Sequence, residues 1–93
     1  MYTILFYEVV DDYVNKRAAF RQEHLDFARE FEEKGQLILA GAFTNPVDGA
    51  ALVFKSEDSR VAENFAQNDP YVKNGLITKW KVREWAVVIG EES

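Results

Sequence analysis

Two stretches of this chain are apolar on both of the faces that an extended strand presents, and that feature constrains the fold more than any other. Over residues 2–9, Ile4 and Phe6 alternate with Leu5, Tyr7 and Val9, so a period of two sends one apolar set to each side of a sheet. The run Ala51-Leu52-Val53-Phe54 repeats the pattern. A sheet covered by helices on one side only should alternate apolar with polar residues, because its second face meets water. Here both faces need cover. The economical arrangement is a sheet with helices on one face and a second copy of the chain on the other, through a two-fold contact in which the same patch serves both partners. The competing explanation is that the outward aromatics are scattered surface residues, which folded proteins tolerate.

Turn and cap residues divide the chain into six elements. Residues 2–9, rich in β-branched and aromatic side chains, read as a strand. Asp11 and Asp12 are placed to cap a helix over 13–34 that stops at Gly35, a residue suited to the left-handed position after a helix end. A second strand over 36–43 leads through the turn residues Asn45-Pro46 and Asp48-Gly49 into a third over 50–55. Ser56 and Asp58 offer caps for a short helix to about Asn68, with Val61, Ala62, Phe65 and Ala66 as its inner face. Asp69-Pro70 ends it, since the residue before a proline avoids helical angles. After Asn74-Gly75 a long strand is predicted over 76–89. The order βαββαβ is that of a ferredoxin-like α+β sandwich, with two helices on one face of an antiparallel sheet. Paired sheet to sheet, two such chains form a dimeric α+β barrel.

Composition narrows the function. At 93 residues with 47% hydrophobic content, residues 1–93 are expected to form a single small domain. A chain this short hides a modest share of its surface and gains from burying a further face by self-association. A net charge of −5 argues against a nucleic-acid partner, which needs clustered Lys and Arg to displace counterions. With no cysteine there is no disulfide framework or thiolate metal site. The chain enters its first strand directly, without a basic start or a small-residue cleavage site, and no apolar run approaches the roughly 20 residues that span a bilayer. A cytoplasmic protein with no membrane partner is expected.

The single histidine, His24, is the best candidate for chemistry. At 100° per residue Tyr13, Phe20, His24, Phe27 and Phe31 fall within about 60° of one another, the spacing of a core-facing helical stripe. A ring buried there needs hydrogen-bond partners, and neutral imidazole has one donor and one acceptor nitrogen. A backbone carbonyl would satisfy it as a structural residue. A proton-transferring histidine instead needs a carboxylate on its second nitrogen, and Asp69, at the break of the second helix, is the acid that the fold could bring close. An Asp-Pro pair also serves simply to end a helix. Arg17 and Arg21 lie on the same side as His24 and could grip a carboxylate or phenolate, although a solvated face with Glu23 and Asp26 explains them equally.

At these residues the chain resembles the YciI-like (YCII-related) family. The resemblance is carried, in order, by Arg17-Ala18-Ala19-Phe20-Arg21-Gln22-Glu23-His24-Leu25, Gly35, Leu39-Ala40-Gly41, Asp69-Pro70-Tyr71, Gly75-Leu76 and a last strand reaching Trp85. It implies a ferredoxin-like protomer in a dimeric α+β barrel, with a site formed by the family's His and Asp, here His24 and Asp69. It also implies a pocket wall at Gly41. There the family commonly continues Gly-Pro, whereas Gly41 is followed by Ala42-Phe43, and a proline common near the end of the last strand is Glu84 here.

A His-Asp pair with no nucleophile or metal beside it suits proton abstraction and return. The expectation is a cofactor-independent lyase or isomerase, similar in kind to dehydrohalogenase and muconolactone-isomerase barrels, acting on a small aromatic or enolisable acid. His24 would be the base and Asp69 its orienter, with Tyr71 donating to an oxyanion and Arg17 or Arg21 anchoring substrate. One alternative is a module that binds or senses a small molecule without changing it. Another is an oxygen enzyme of related barrel type, with haem held by His24. One histidine and no cysteine argue against zinc. The five glycines form no dinucleotide or phosphate-loop pattern, and no serine has a recognisable nucleophile context.

Overall fold

Alternation along the first strand decides which way the sheet faces. In the computed structural model, which describes residues 1–90, β1 (Tyr2–Val9) buries Thr3, Leu5 and Tyr7 on one side and leaves Ile4 and Phe6 half-buried on the other. Next come α1 (Tyr13–Lys16), a 3-10 turn (Arg17–Ala19), α2 (Arg21–Glu33), β2 (Leu37–Ala42), β3 (Gly49–Lys55), α3 (Arg60–Asn68), α4 (Pro70–Lys73) and β4 (Ile77–Trp85). The strands lie in the order β2-β3-β1-β4, each antiparallel to its neighbours. This is the expected ferredoxin-like α+β arrangement.

The core lies between the sheet and the helices. Leu5 stands opposite Leu52, and Thr3 opposite Phe54, so β1 and β3 send the same face inward. Above them Phe65 of α3 packs against Phe54 at 5.3 Å and against Phe27 and Phe31 of α2 at 4.9 and 5.0 Å between ring centroids. Phe54 and Phe65 are fully buried, and each contributes about 1.5–3 kcal/mol by leaving water. The aromatic stripe of the long helix thus lands on the core. Gly35, at φ 75°, ends α2 as its position predicts, donating its N–H to the Glu32 carbonyl.

Three expectations are corrected. The helix over 13–34 is broken: the Phe20 N–H closes a short bond to the Arg17 carbonyl, and Phe20 itself sits at φ −118°, ψ 1°. Packing outranks helix propensity here, because Tyr13 turns edge-on to Tyr71 while Phe27 and Phe31 seek Phe65. Asp12 precedes α1 in a left-handed conformation and accepts a hydrogen bond from the Asn15 side chain rather than capping the backbone. The last strand stops at Trp85 instead of residue 89, because Trp85 pairs with Tyr2 and β1 offers nothing beyond. Asp58 does take the Arg60 N–H at the start of α3, and Asp69-Pro70 does end that helix, but Pro70 then opens a further turn, α4.

The sheet's second face is apolar in its middle. The register puts Ile4 beside Val53, Phe6 beside Ala51 and Leu39 beside Val53, and Leu39 and Trp85 are 68% and 49% exposed. Along β4 the same face is basic, through Lys79, Lys81 and Arg83, with the Lys81 ammonium 5.7 Å above the Phe6 ring. Among the described residues no helix is long and apolar enough to cross a membrane.

Candidate functional site

The site begins with a helix break. Pro70 occupies the first turn of α4, and the residue before it is held extended, at φ −63°, ψ 126°. Asp69 is therefore the N-cap of α4, and its Oδ1 accepts the Tyr71 backbone N–H at 3.0 Å. A cap carboxylate usually faces water. This one is turned inward and is fully buried, which demands further donors.

Two side chains supply them. His24, on α2, brings Nδ1 to 2.7 Å from Asp69 Oδ1, and Tyr7, on β1, donates its hydroxyl to Oδ2 at 2.7 Å. An ionised carboxylate can only accept, so Nδ1 carries the proton. Neutral His24 is then the tautomer whose lone pair lies on Nε2, and Nε2 makes no hydrogen bond among the described residues. The imidazole stacks face to face on the Tyr71 ring, 3.8 Å between centroids and 3° from parallel, with Phe65 edge-on behind it. Its side chain keeps 15% exposure.

That exposure opens onto a cleft of about 310 Å³ between α2 and the β2–β3 side of the sheet. Arg17, Arg21, His24, Tyr7, Tyr13 and Tyr71 line it, with Ala40, Gly41 and Ala42 of β2 forming the opposite wall. The Arg17 guanidinium lies 5.3 Å from the centre of the Tyr13 ring. Burial, followed by the charge of Asp69, pushes the Tyr7 phenol far above its ordinary range. Burial also raises Tyr13, partly offset by Arg17, and raises Tyr71, where Tyr13 adds to the effect and Arg21 and Arg17 oppose it. All three phenols are donors at neutral pH. The Tyr71 hydroxyl is buried and has no hydrogen-bond partner among the described residues.

Of the residues singled out in the sequence, His24 and Asp69 meet directly, and Arg17, Arg21, Tyr71 and Gly41 share one cleft. Asp69 stands behind the imidazole rather than in the cleft wall. Sequence reasoning missed Tyr7. Its signal was its parity: it shares a face with Leu5, so its hydroxyl enters the core and needs a partner there. From the sequence Tyr13 reads only as part of an apolar stripe. Among the described residues no group of three His, Cys, Asp or Glu could hold a metal ion.

Fold and site together define a small ferredoxin-like α+β protein with a buried acid behind an imidazole at the mouth of a cleft. The YCII-related domain matches residues 1–86, and the chain belongs to that family. It is 27% identical over 85 residues to an uncharacterised protein of Haemophilus influenzae, spanning 82% of this chain and 87% of that one. Among solved structures it is similar to the 5-chloro-2-hydroxyhydroquinone dehydrochlorinase TftG of Burkholderia phenoliruptrix AC1100, determined in complex with 2,5-dihydroxybenzoquinone. The TM-score is 0.76 at 19% identity, over 92% of this chain and 94% of that one. Protein Atu4242 of Agrobacterium tumefaciens aligns with a TM-score of 0.54 at 12% identity, over 91% and 92% of the two chains. At these identities the structural likenesses concern the fold.

Proposed function

We propose that this protein is a cofactor-independent enzyme that moves a proton on a small, ring-sized anionic substrate, a lyase or isomerase step. The observation that carries the reading is the 2.7 Å contact between His24 Nδ1 and a fully buried Asp69, with Nε2 free to act at the cleft. Nε2 takes a proton from a carbon or hydroxyl of the substrate, and the imidazolium that forms is balanced by Asp69 and faces the Tyr71 ring. The proton returns to another position, giving an isomer, or the electron pair expels a leaving group as its anion, which departs to solvent together with the proton from Nε2, giving an elimination product and neutral His24. Arg17 and Arg21, which line the cleft, supply positive charge for a carboxylate or phenolate and for oxyanion charge that develops on it. The structural similarity to a dehydrochlorinase bound to a dihydroxylated quinone favours a hydroxylated aromatic or quinoid substrate.

The test is to incubate the protein in D2O with hydroxylated aromatic acids and enolisable cyclic acids and to follow deuterium entry and product by NMR. Exchange or turnover that disappears in His24→Ala supports the reading. A compound that raises the melting temperature yet neither exchanges nor changes would make the protein a binding module instead.

The active form in this proposal is a homodimer closed through the apolar sheet face, where Leu39 and Trp85 are exposed on the single chain. Light scattering should give twice 10.7 kDa, and Leu39→Asp should return the mass to one chain. A monomeric wild type removes the dimer from the reading.

A further inference from the structure

We propose that Tyr7 is a positioning residue of this site, acting through Asp69: its hydroxyl fixes the carboxylate and draws off part of the charge that Asp69 presents to His24. The proposal deepens the acid–base reading above and rests on it for its catalytic meaning, while its physical content is independent of turnover.

Three donors converge on one buried carboxylate, and they divide unevenly. Oδ1 takes both His24 Nδ1 and the Tyr71 N–H, while among the described residues Oδ2 has Tyr7 alone, at 2.7 Å. The Tyr71 N–H is tied to α4 and fixes the position of Oδ1. Tyr7, which projects from the central strand β1, holds Oδ2, so the two ends of the carboxylate are anchored to different elements. A short bond from a neutral hydroxyl to a carboxylate is among the stronger hydrogen bonds and takes up negative charge. Tyr7 is itself 3% exposed, and burial with the Asp69 charge keeps its phenol protonated, so it remains a donor throughout the working pH range. The other charged or titratable groups around the imidazole are Tyr71 on α4, Tyr13 on α1, Arg17 in the 3-10 turn and Arg21 on α2, and none of them touches Oδ2.

Removing the Tyr7 hydroxyl leaves Oδ2 without a donor and concentrates charge on the carboxylate. The imidazolium form of His24 is then favoured. Because His24 is the chain's single histidine, its titration can be followed by NMR without assignment ambiguity. In Tyr7→Phe the His24 midpoint should rise by about half a pH unit or more. In an Asp69→Asn background the same substitution should leave the midpoint unmoved, since Tyr7 reaches the ring only through the carboxylate. A purely structural role would lower the melting temperature in both backgrounds and move the midpoint in neither.

Should Tyr7→Phe fail to fold, 3-fluorotyrosine placed at position 7 provides a stronger donor of nearly the same shape, and it should shift the midpoint downward. An unchanged midpoint in the folded variants overturns the proposal, as does an equal shift with and without Asp69. Neither readout needs a substrate. Absence of turnover would therefore refute the enzyme reading and leave this one standing, and turnover with an immobile midpoint would do the reverse.

Discussion

Asp69→Asn tests the centre of the site, because the substitution preserves shape and changes only what the two terminal atoms can do. Asparagine offers one acceptor oxygen and an NH2 group where the carboxylate offers two acceptors. The Tyr71 N–H cannot reorient, and His24 Nδ1 bonds the same oxygen, so the amide oxygen must occupy the Oδ1 position. The NH2 group then meets the Tyr7 hydroxyl at 2.7 Å. That hydroxyl can turn and accept, but its own proton is stranded in a buried site. Bonds to a charged acceptor contribute about 1.5–3 kcal/mol and neutral ones about 0.5–1.5, so the two retained bonds lose about 1 kcal/mol each and the stranded hydroxyl about 1–3 more. Relief of the buried charge offsets part of this. A net loss of about 1–3 kcal/mol follows, at about 4–8 °C of melting temperature per kcal/mol for a chain of this size. Turnover should fall more steeply, by about 10²–10⁴, since the imidazolium loses its counter-charge. Calorimetry and the D2O exchange assay read the two effects separately. A variant that melts within about 2 °C of wild type and keeps its activity would refute the claim that three donors depend on this carboxylate.

Other consequences can be checked directly. Arg17→Ala and Arg21→Ala should each weaken an anionic ligand about tenfold, raising KM or Kd with little change in kcat, and added salt should blunt the difference. Gly49→Ala should destabilise the fold by about 1–3 kcal/mol in a denaturant melt, because the added Cβ would stand 2.7 Å from the Tyr7 carbonyl oxygen and 3.2 Å from the Phe43 ring. Stability should also decline above about pH 10, where the unfolded chain releases phenolic protons that folded Tyr7, Tyr13 and Tyr71 retain. The unfolded state then binds fewer protons, so the slope of stability with pH is negative; an alkaline melting series that stays flat would contradict the burial of these groups.

How much of this could be read beforehand depends on whether a residue's fate is set by its neighbours in sequence or by a distant ring. The period-two pattern of β1 places Leu5 and Tyr7 inward and Ile4 and Phe6 outward, and the structure follows it because strand geometry leaves no third direction. Asp69-Pro70 forces an extended residue locally, so the helix boundary was legible, but the inward turn of its carboxylate was not. That turn depends on His24 and Tyr7, which lie 45 and 62 positions away. The break at Arg17–Ala19 was hidden for a similar reason: an unbroken helix satisfies local propensity, and only the ring of Tyr71 draws Tyr13 aside. The early end of β4 is another long-range effect. Val88 and Ile89 have strand-forming side chains yet are 80% and 89% exposed, because Trp85 already pairs with Tyr2 at the start of β1. Tyr7 lies between these extremes. Parity alone sends its hydroxyl into the core, and a buried hydroxyl requires an acceptor, so a phenol on the inner face of a central strand was a pointer to a buried acid before any coordinates identified Asp69 as that acid.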